Sequence, residues 1–386
     1  MMPESASALG RARRDGILVA SVSVGAGHVR AAEALAESLR YADPARPLEL
    51  IDILDLAPGW VRRFYREVFL RVAARSRTLA YRLYEATDGD SPDNVRWGHT
   101  AERLMIRKFR RLLGAGTWRD CLATHFLPFQ VADPRRPPAQ HLVVTDWALH
   151  RFWVQPHVRN FFVATEGMAA TLRRRVPAAR VHVTGIPVGA RFALRHDRLE
   201  LRRTLHLEPH SRVVLIMGGG WGLGVEEMVG AALGALVPDL VVLVVCGANR
   251  RALDVLSRHP SDRLRTSGFV DDVAGLVSAA DLVISKPGGV TTSETLALGT
   301  PLLLTPGLPG HEDRNSRQLT ESGAAQCVDV ADLGRMIEQF FGDADLRARW
   351  VDASRRAGRP CAAAQIAAFF SHVGVGVALE ETVRVT

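Results

Sequence analysis

The sequence predicts an α/β protein made of two Rossmann-like domains that face each other across a cleft. Three observations carry this. Short apolar, β-branched runs alternate with helical stretches along the chain, the pattern of parallel sheets covered by helices. These runs fall into two sets, separated by the charged, turn-rich segment Gly185–Asp197 (GIPVGARFALRHD). Each set opens with a strand that runs straight into a glycine-rich turn, and in open α/β sheets ligands sit beyond the carboxyl ends of the strands.

In the first set, Gly16–Val24 (GILVASVSV) reads as a strand and Arg30–Arg40 has helical spacing of Ala, Leu and Glu. Leu48–Leu54, His141–Thr145, Asn160–Ala164 and Val181–Thr184 follow as strands, short and apolar as parallel strands buried on both faces are. The second set is Arg212–Met217, Leu240–Cys246, Leu264–Ser267, Leu282–Ser285 and Pro301–Thr305. Cys361–His372 reads as a helix. The domains expected are 1–188, 189–360 and a C-terminal helix with tail, 361–386, returning to the first.

Composition narrows the function classes. Of 386 residues, 47% are hydrophobic and 23% charged, as in a soluble globular protein. The longest apolar runs are strand-sized, far short of the roughly 20 residues a bilayer requires. The N-terminus lacks the apolar core of a signal peptide, so it reads as a short lead. Cys121, Cys246, Cys327 and Cys361 are scattered without a CxxC pair, which argues against disulfides and zinc and for a reducing cytosol. The net charge of +8 invites polyanions: nucleic acid, anionic lipid or a phosphorylated substrate. Lysine occurs only at Lys108 and Lys286, and Lys286 stands inside a glycine-rich turn.

The first strand runs into Gly25-Ala26-Gly27-His28 and then a helix. The glycines allow a tight turn and bring helix N–H groups within reach of an anion. His28 serves either as a helix cap or as a general base at the mouth of the cleft, where an unperturbed pKa near 6.5 suits proton abstraction. A dinucleotide reading needs a third Gly where Arg30 stands, although Asp52 is placed like a ribose-binding acid.

The second domain opens with Gly218-Gly219-Gly220-Trp221-Gly222-Leu223-Gly224, with no GK[ST] to make a Walker loop. Close backbone approach to a ligand fits such a run better than a slack loop. The strongest stretch is Ser285-Lys286-Pro287-Gly288-Gly289-Val290-Thr291-Thr292-Ser293-Glu294: strand, turn and helix. A pyrophosphate fits the positive end of that helix, and Glu294 is set to accept from ribose hydroxyls. For Thr291 and Ser293, capping competes with ligand contact. Pro309-Gly310-His311-Glu312-Asp313-Arg314-Asn315 is a polar, charged turn that either starts a solvated helix or holds sugar hydroxyls at the cleft. Asp343-Ala344-Asp345 reads as a helix cap and Asp88-Gly89-Asp90 as a turn; neither follows a strand end, so no obligatory metal is expected.

Trp60–Tyr84 interleaves aromatics with arginines, among them Arg62, Arg63 and Arg66. Either it is a solvated face packed on its domain, or it is a basic amphipathic element lying on a membrane. No reader motif for nucleic acid accompanies it, and none is expected as a partner.

At these residues the chain resembles the monogalactosyldiacylglycerol synthase and bacterial diacylglycerol glucosyltransferase group. SVGAGH followed by AAEAL, VVTD with His150 and Trp153, GIPV, GGGWGLG, CGANRRAL, GFVDDVAGL, ISKPGGVTTSE and PGHEDRNSRQL carry it, in order, from about Ile17 to Ala325. The core of the second-domain motifs is shared with the peptidoglycan-precursor N-acetylglucosaminyltransferase. The resemblance implies a GT-B fold, inversion at the anomeric carbon, a UDP-sugar as co-substrate, no cofactor and no catalytic metal. It implies His28 as acceptor-side base, with Asp146 as the alternative. Gly219, Gly220 and Gly289 fall at the diphosphate, Val270 at the base, and Thr291 and Glu294 on the donor side. His311 and Glu312 fall at the sugar, His311 replacing the usual Gln. Gly27, His150, Trp153, Arg62, Arg63 and Arg66 fall on the acceptor and membrane side. Asn160 stands where an acidic residue is common.

The function this implies is hexose transfer from a UDP-sugar to a diacylglycerol-type lipid on the inner face of the cell membrane. A lipid-linked cell-wall precursor or small metabolite as acceptor, and a non-catalytic nucleotide-binding protein, are the competing readings.

Overall fold

A computed structural model describes residues 15–57, 107–114, 118–131 and 138–371. The Trp60–Tyr84 stretch, with Arg62, Arg63 and Arg66, and the Asp88-Gly89-Asp90 turn lie outside them.

Two six-stranded parallel sheets form the frame. The first contains β1 (Gly16–Ser21), β2 (Leu48–Asp52), β3 (Trp118–Ala123), β4 (Ala139–Val143), β5 (Asn160–Val163) and β6 (Arg180–Val183). Its order is β2-β1-β3-β4-β5-β6. The second contains β7 (Arg212–Met217), β8 (Leu240–Val245), β9 (Leu264–Ser267), β10 (Leu282–Ser285), β11 (Leu302–Leu304) and β12 (Gln326–Cys327), ordered β12-β11-β10-β7-β8-β9. Strand order reverses between β1 and β3 in one sheet and between β7 and β10 in the other. Those are the switch points where crevices open.

The helices that build the site are α1 (Ala26–Ala42), α2 (Val225–Leu233), α3 (Gly289–Ala297) and α4 (His311–Glu321); α5 (Ala362–Phe370) closes the described chain. β1 shows why its run is apolar throughout. Ile17 and Val19 face a cluster with Leu35, Leu39, Ile366 and Phe370, while Leu18 and Ala20 face a second cluster on the opposite side. Both faces are covered, by α1 and α5 on one side. The second cluster is continuous between the domains, joining Leu18 and Trp147 to Val290, Leu296 and Leu215.

Two strands lie outside the runs read from the sequence. β3 begins Trp118-Arg119-Asp120, and its charges sit at the N-terminal end of this central strand, where Asp120 is held by Arg46 and His141. β12 is only two residues long. The first helix also begins earlier than its side-chain spacing suggests, at Ala26, because Gly25 at φ 96° turns the chain directly into it. Asp343 caps the helix Ala344–Ala357 by accepting from Leu346 N–H at 2.9 Å.

The domains are joined through polar groups that neither exposes. Asn315 of α4 is fully buried. Its Oδ1 accepts from Trp147 N–H at 2.8 Å and Ala148 N–H at 3.2 Å. Its Nδ2 donates to Asp146 Oδ1 at 3.0 Å and Pro287 O at 3.1 Å. Trp147 Nε1–H donates to Thr292 Oγ1 at 2.8 Å. Gly289 packs so closely on Thr145 that a Cβ there would lie 1.9 Å from the Thr145 carbonyl oxygen.

Ile366 anchors α5 in the first domain with no exposed surface. Ile366→Ala removes buried methyl and methylene groups and leaves a cavity, so the first unfolding transition in urea is expected to lose about 2–5 kcal/mol. An unchanged midpoint would mean that α5 contributes nothing to the stability of that domain.

Candidate active site

The loops after β1 and β4 in the first domain meet those after β7, β10 and β11 in the second around a cleft of about 190 Å³. Gly27, His28, Asp146, Gly219, Gly220, Gly289, Thr291, His311 and Glu312 all line it. These positions are spread over nearly 300 residues and meet only because both sets of strand ends face inward.

His28 sits in the first turn of α1. Its Nδ1 lies 2.8 Å from Thr145 Oγ1 and 3.0 Å from Thr124 O. A carbonyl oxygen can only accept, so Nδ1 carries the proton and Nε2 keeps its lone pair. Thr145 Oγ1 in turn donates to Thr124 O at 3.3 Å, and Thr124 Oγ1 donates to His28 O at 2.8 Å. Burial lowers the His28 pKa from 6.5, against the opposing pull of the Asp146 carboxylate and the Thr124 carbonyl; His311 lowers it further. His125 packs edge-on against the ring at 4.6 Å and is itself held neutral by burial and by His28. The imidazole is thus neutral near pH 7, in the tautomer with a free Nε2.

Asp146 is differently placed. Oδ2 accepts from Trp153 Nε1–H at 3.1 Å and Oδ1 from Asn315. Both oxygens are engaged in holding the cleft wall, whereas Nε2 of His28 has no protein partner among the described residues. Trp153 is buried behind His28, and His150 is buried with Nδ1 accepting from Phe152 N–H. Neither lines the cleft. Val270, in the loop after β9, packs half-buried against the shared core outside the lining, beside Phe269, which is 73% exposed. Asp52 accepts from Ser23 N–H and Leu54 N–H, so its carboxylate caps local backbone.

The cleft favours negative charge. α1 and α3 both begin on it, with no side-chain cap and no acidic residue in the first turn. Their N–H groups and dipoles therefore face the lining uncompensated. The loop Gly218–Gly224 approaches from the other side; Gly220 is so near α1 that a Cβ would lie 2.6 Å from the Ala26 Cβ. Arg30 and Lys286 add cationic charge to the lining. Glu312 is tied to its own loop, Oε2 accepting from Leu308 N–H.

Glu294 is 2% exposed and lies one turn inside α3. One carboxylate oxygen pairs with Arg30 of α1 at 2.5 Å, across the domains. The other, Oε2, is buried without a hydrogen-bond partner. Arg30, Thr124, His125 and Thr145 carry much of this geometry and are not site candidates on the sequence alone, while Asn315 closes the polar turn that the sequence sets at the cleft. His125 and Thr124 follow β3, the strand whose charged start hides it. Arg30 was noted only as a missing glycine.

Burial raises the Glu294 pKa from 4.5 to about 7, against the pull of Arg30. Between those values the folded chain keeps a proton that the unfolded chain has released. Stability therefore falls as pH rises through that window and levels off above it. Glu294→Gln is expected to abolish this fall, read from thermal denaturation of both proteins over roughly pH 4 to 8. Parallel pH curves would exclude titration of this carboxyl.

The comparisons with known proteins follow the same division. The family model of monogalactosyldiacylglycerol (MGDG) synthase matches residues 28–188, and that of the glycosyltransferase family 28 C-terminal domain matches 213–343. A processive diacylglycerol β-glucosyltransferase of Bacillus licheniformis is 32% identical over 192 residues, 48% of this chain and 50% of the relative. The chain thus spans about half the length of the curated relatives it matches. Acinetobacter baumannii MurG has the same fold, at a TM-score of 0.59 and 16% identity over 92% of this chain and 99% of its own. So does Anabaena Alr3699/HepE, solved in complex with UDP, at 0.53 and 14% over 92% and 99%. The first half of the chain thus matches the monogalactosyldiacylglycerol synthase model and the second half the glycosyltransferase family 28 C-terminal domain, on a two-domain GT-B frame.

Proposed function

We propose that the protein transfers a hexose from a UDP-sugar to the hydroxyl of a diacylglycerol-type lipid at a membrane surface, with inversion at the anomeric carbon. The observation that carries this is His28: a neutral imidazole with its lone pair free at Nε2, in a cleft where two uncapped helix N-termini converge. The acceptor class follows from the relatives, which are named as diacylglycerol β-glucosyltransferases. A uridine diphosphate donor is supported by the UDP complex of a protein with this fold.

In this reading the lipid hydroxyl gives its proton to His28 Nε2 as its oxygen attacks the anomeric carbon. The bond from that carbon to the diphosphate breaks, and UDP leaves with the electron pair. Nδ1–H, bonded to Thr145 Oγ1 and Thr124 O, holds the ring while it becomes a cation, and Asp146 stabilises that cation. The developing charge on UDP meets the N-termini of α1 and α3 and the Gly218–Gly220 backbone, dipoles oriented before the reaction begins. A ribose hydroxyl gives Oε2 of Glu294 the donor it lacks. Docking on a membrane falls to the basic aromatic stretch 60–84, outside the described residues. No described helix is long and apolar enough to cross a bilayer.

UDP release from UDP-glucose, UDP-galactose and UDP-N-acetylglucosamine, measured with and without diacylglycerol vesicles, tests the reaction; release that ignores diacylglycerol overturns the acceptor. His28→Ala is expected to keep UDP affinity within a few-fold while lowering turnover about 10²–10⁴-fold, the usual contribution of a positioned base. Because burial depresses the His28 pKa, kcat/KM is expected to hold as pH falls through 6.5 and decline only below it. Full turnover in His28→Ala would remove the imidazole from the mechanism.

A further inference from the structure

We propose that a basic cavity at the N-terminal edge of the first sheet binds a phosphomonoester dianion, at a second site remote from the cleft. The cavity is about 550 Å³, within the range that holds small organic ligands. It lies where β3, β4, β5 and β6 begin, whereas the cleft lies where strands end. At about 3.3 Å per residue, four to six residues of strand separate the two sites by roughly 13–20 Å.

The charge of the lining is unbalanced. Arg46 and Arg119 share Asp120 and Asp15. Arg159 and Arg180 also line the cavity, and neither has a carboxylate partner among the described residues. A surplus of two guanidinium groups calls for two negative charges. A phosphomonoester supplies about that charge near neutral pH, with three oxygens to accept from the planar forks. A single carboxylate supplies half of it.

Arg180 N–H donates to Arg159 O at 2.9 Å, fastening the start of β6 to the residue preceding β5, so the two exposed arginines stand at neighbouring strand starts on the cavity rim. The floor beneath them is a chain of polar groups in fixed order. His182 Nε2–H donates to Asn160 Oδ1 at 3.2 Å, Asn160 Nδ2 to His141 Nδ1 at 2.8 Å, and His141 Nε2–H to Asp120 Oδ1 at 3.0 Å. Asp120 Oδ2 then accepts from Arg46 Nη2 at 2.9 Å. This gives Asn160 a physical role: its amide donates to His141 and accepts from His182, which fixes the order of the chain. Phe369 and Phe370 form an apolar wall, Phe370 edge-on to His141 at 4.9 Å, against which the organic part of the ligand packs.

The test uses the whole chain at constant ionic strength, titrated with inorganic phosphate and with glycerol 3-phosphate. Binding is read by calorimetry and by the shift in melting temperature. Wild type is expected to bind both, and the double variant Arg159→Gln/Arg180→Gln at least tenfold more weakly, since paired charge-assisted contacts are lost. Arg159→Lys keeps the charge but not the fork and is expected to fall between them; it carries the test if the double variant does not fold. Three results overturn the proposal: no binding by wild type, equal binding by the double variant (which would put the anion in the cleft), or capture by anionic phosphodiester vesicles without affinity for either soluble phosphate.

Discussion

The side chain of Asn315 is the contact on which the working geometry depends. An amide has two donors and an acceptor with two lone pairs, and here all four are used: three bonds join α4 of the second domain to the turn 146–148 of the first, and the fourth reaches Pro287 O just before α3. Because the group is wholly buried, any opening there exposes several unmet polar atoms at once. The amide holds Asp146, and the same turn carries Thr145, whose hydroxyl takes the His28 proton. Gly289, pressed on the Thr145 carbonyl, brings the start of α3 to the same point. One polar contact thus registers the base against the anion-binding helix.

The electrostatics of the cleft follow from what is absent at two helix starts. In most helices a Ser, Thr, Asp or Asn would satisfy the first N–H groups. α1 and α3 start at Gly25 and Gly288 instead, and leave those groups to a ligand. The ion pair between Arg30 and Glu294 belongs to the same economy of charge. It bridges the domains while one carboxylate oxygen stays unmet, and burial leaves the carboxyl near its titration point. The opposite edge of the first sheet has its own polar order, in which two imidazoles, an amide and one carboxylate underlie arginines that outnumber their acidic partners among the described residues.

Much of the frame was legible because buried parallel strands have both faces covered. β7 and β10 are largely apolar, buried runs with the limits the sequence suggests. The glycine turns were legible for a similar reason, since only Gly tolerates the contacts at Gly220 and Gly289. β3 was not. Its Arg119 and Asp120 look like loop residues until Arg46 and His141, from distant segments, supply their partners. Without β3 the switch point of the first sheet could not be located, and neither could Thr124 and His125.

By itself the sequence determined the local chemistry: which runs become strands, where glycine lets the backbone turn, and that an imidazole follows the first turn. Those outcomes depend on neighbours within a few residues. Tertiary structure alone decided which side chains act together. His28 is poised by carbonyl and hydroxyl groups about 100 residues away along the chain, and Asp146 is engaged on both oxygens by Trp153 and Asn315. Hydrogen bonds and desolvation depend on distance in space, and a linear pattern carries no record of that distance until the two sheets are set face to face.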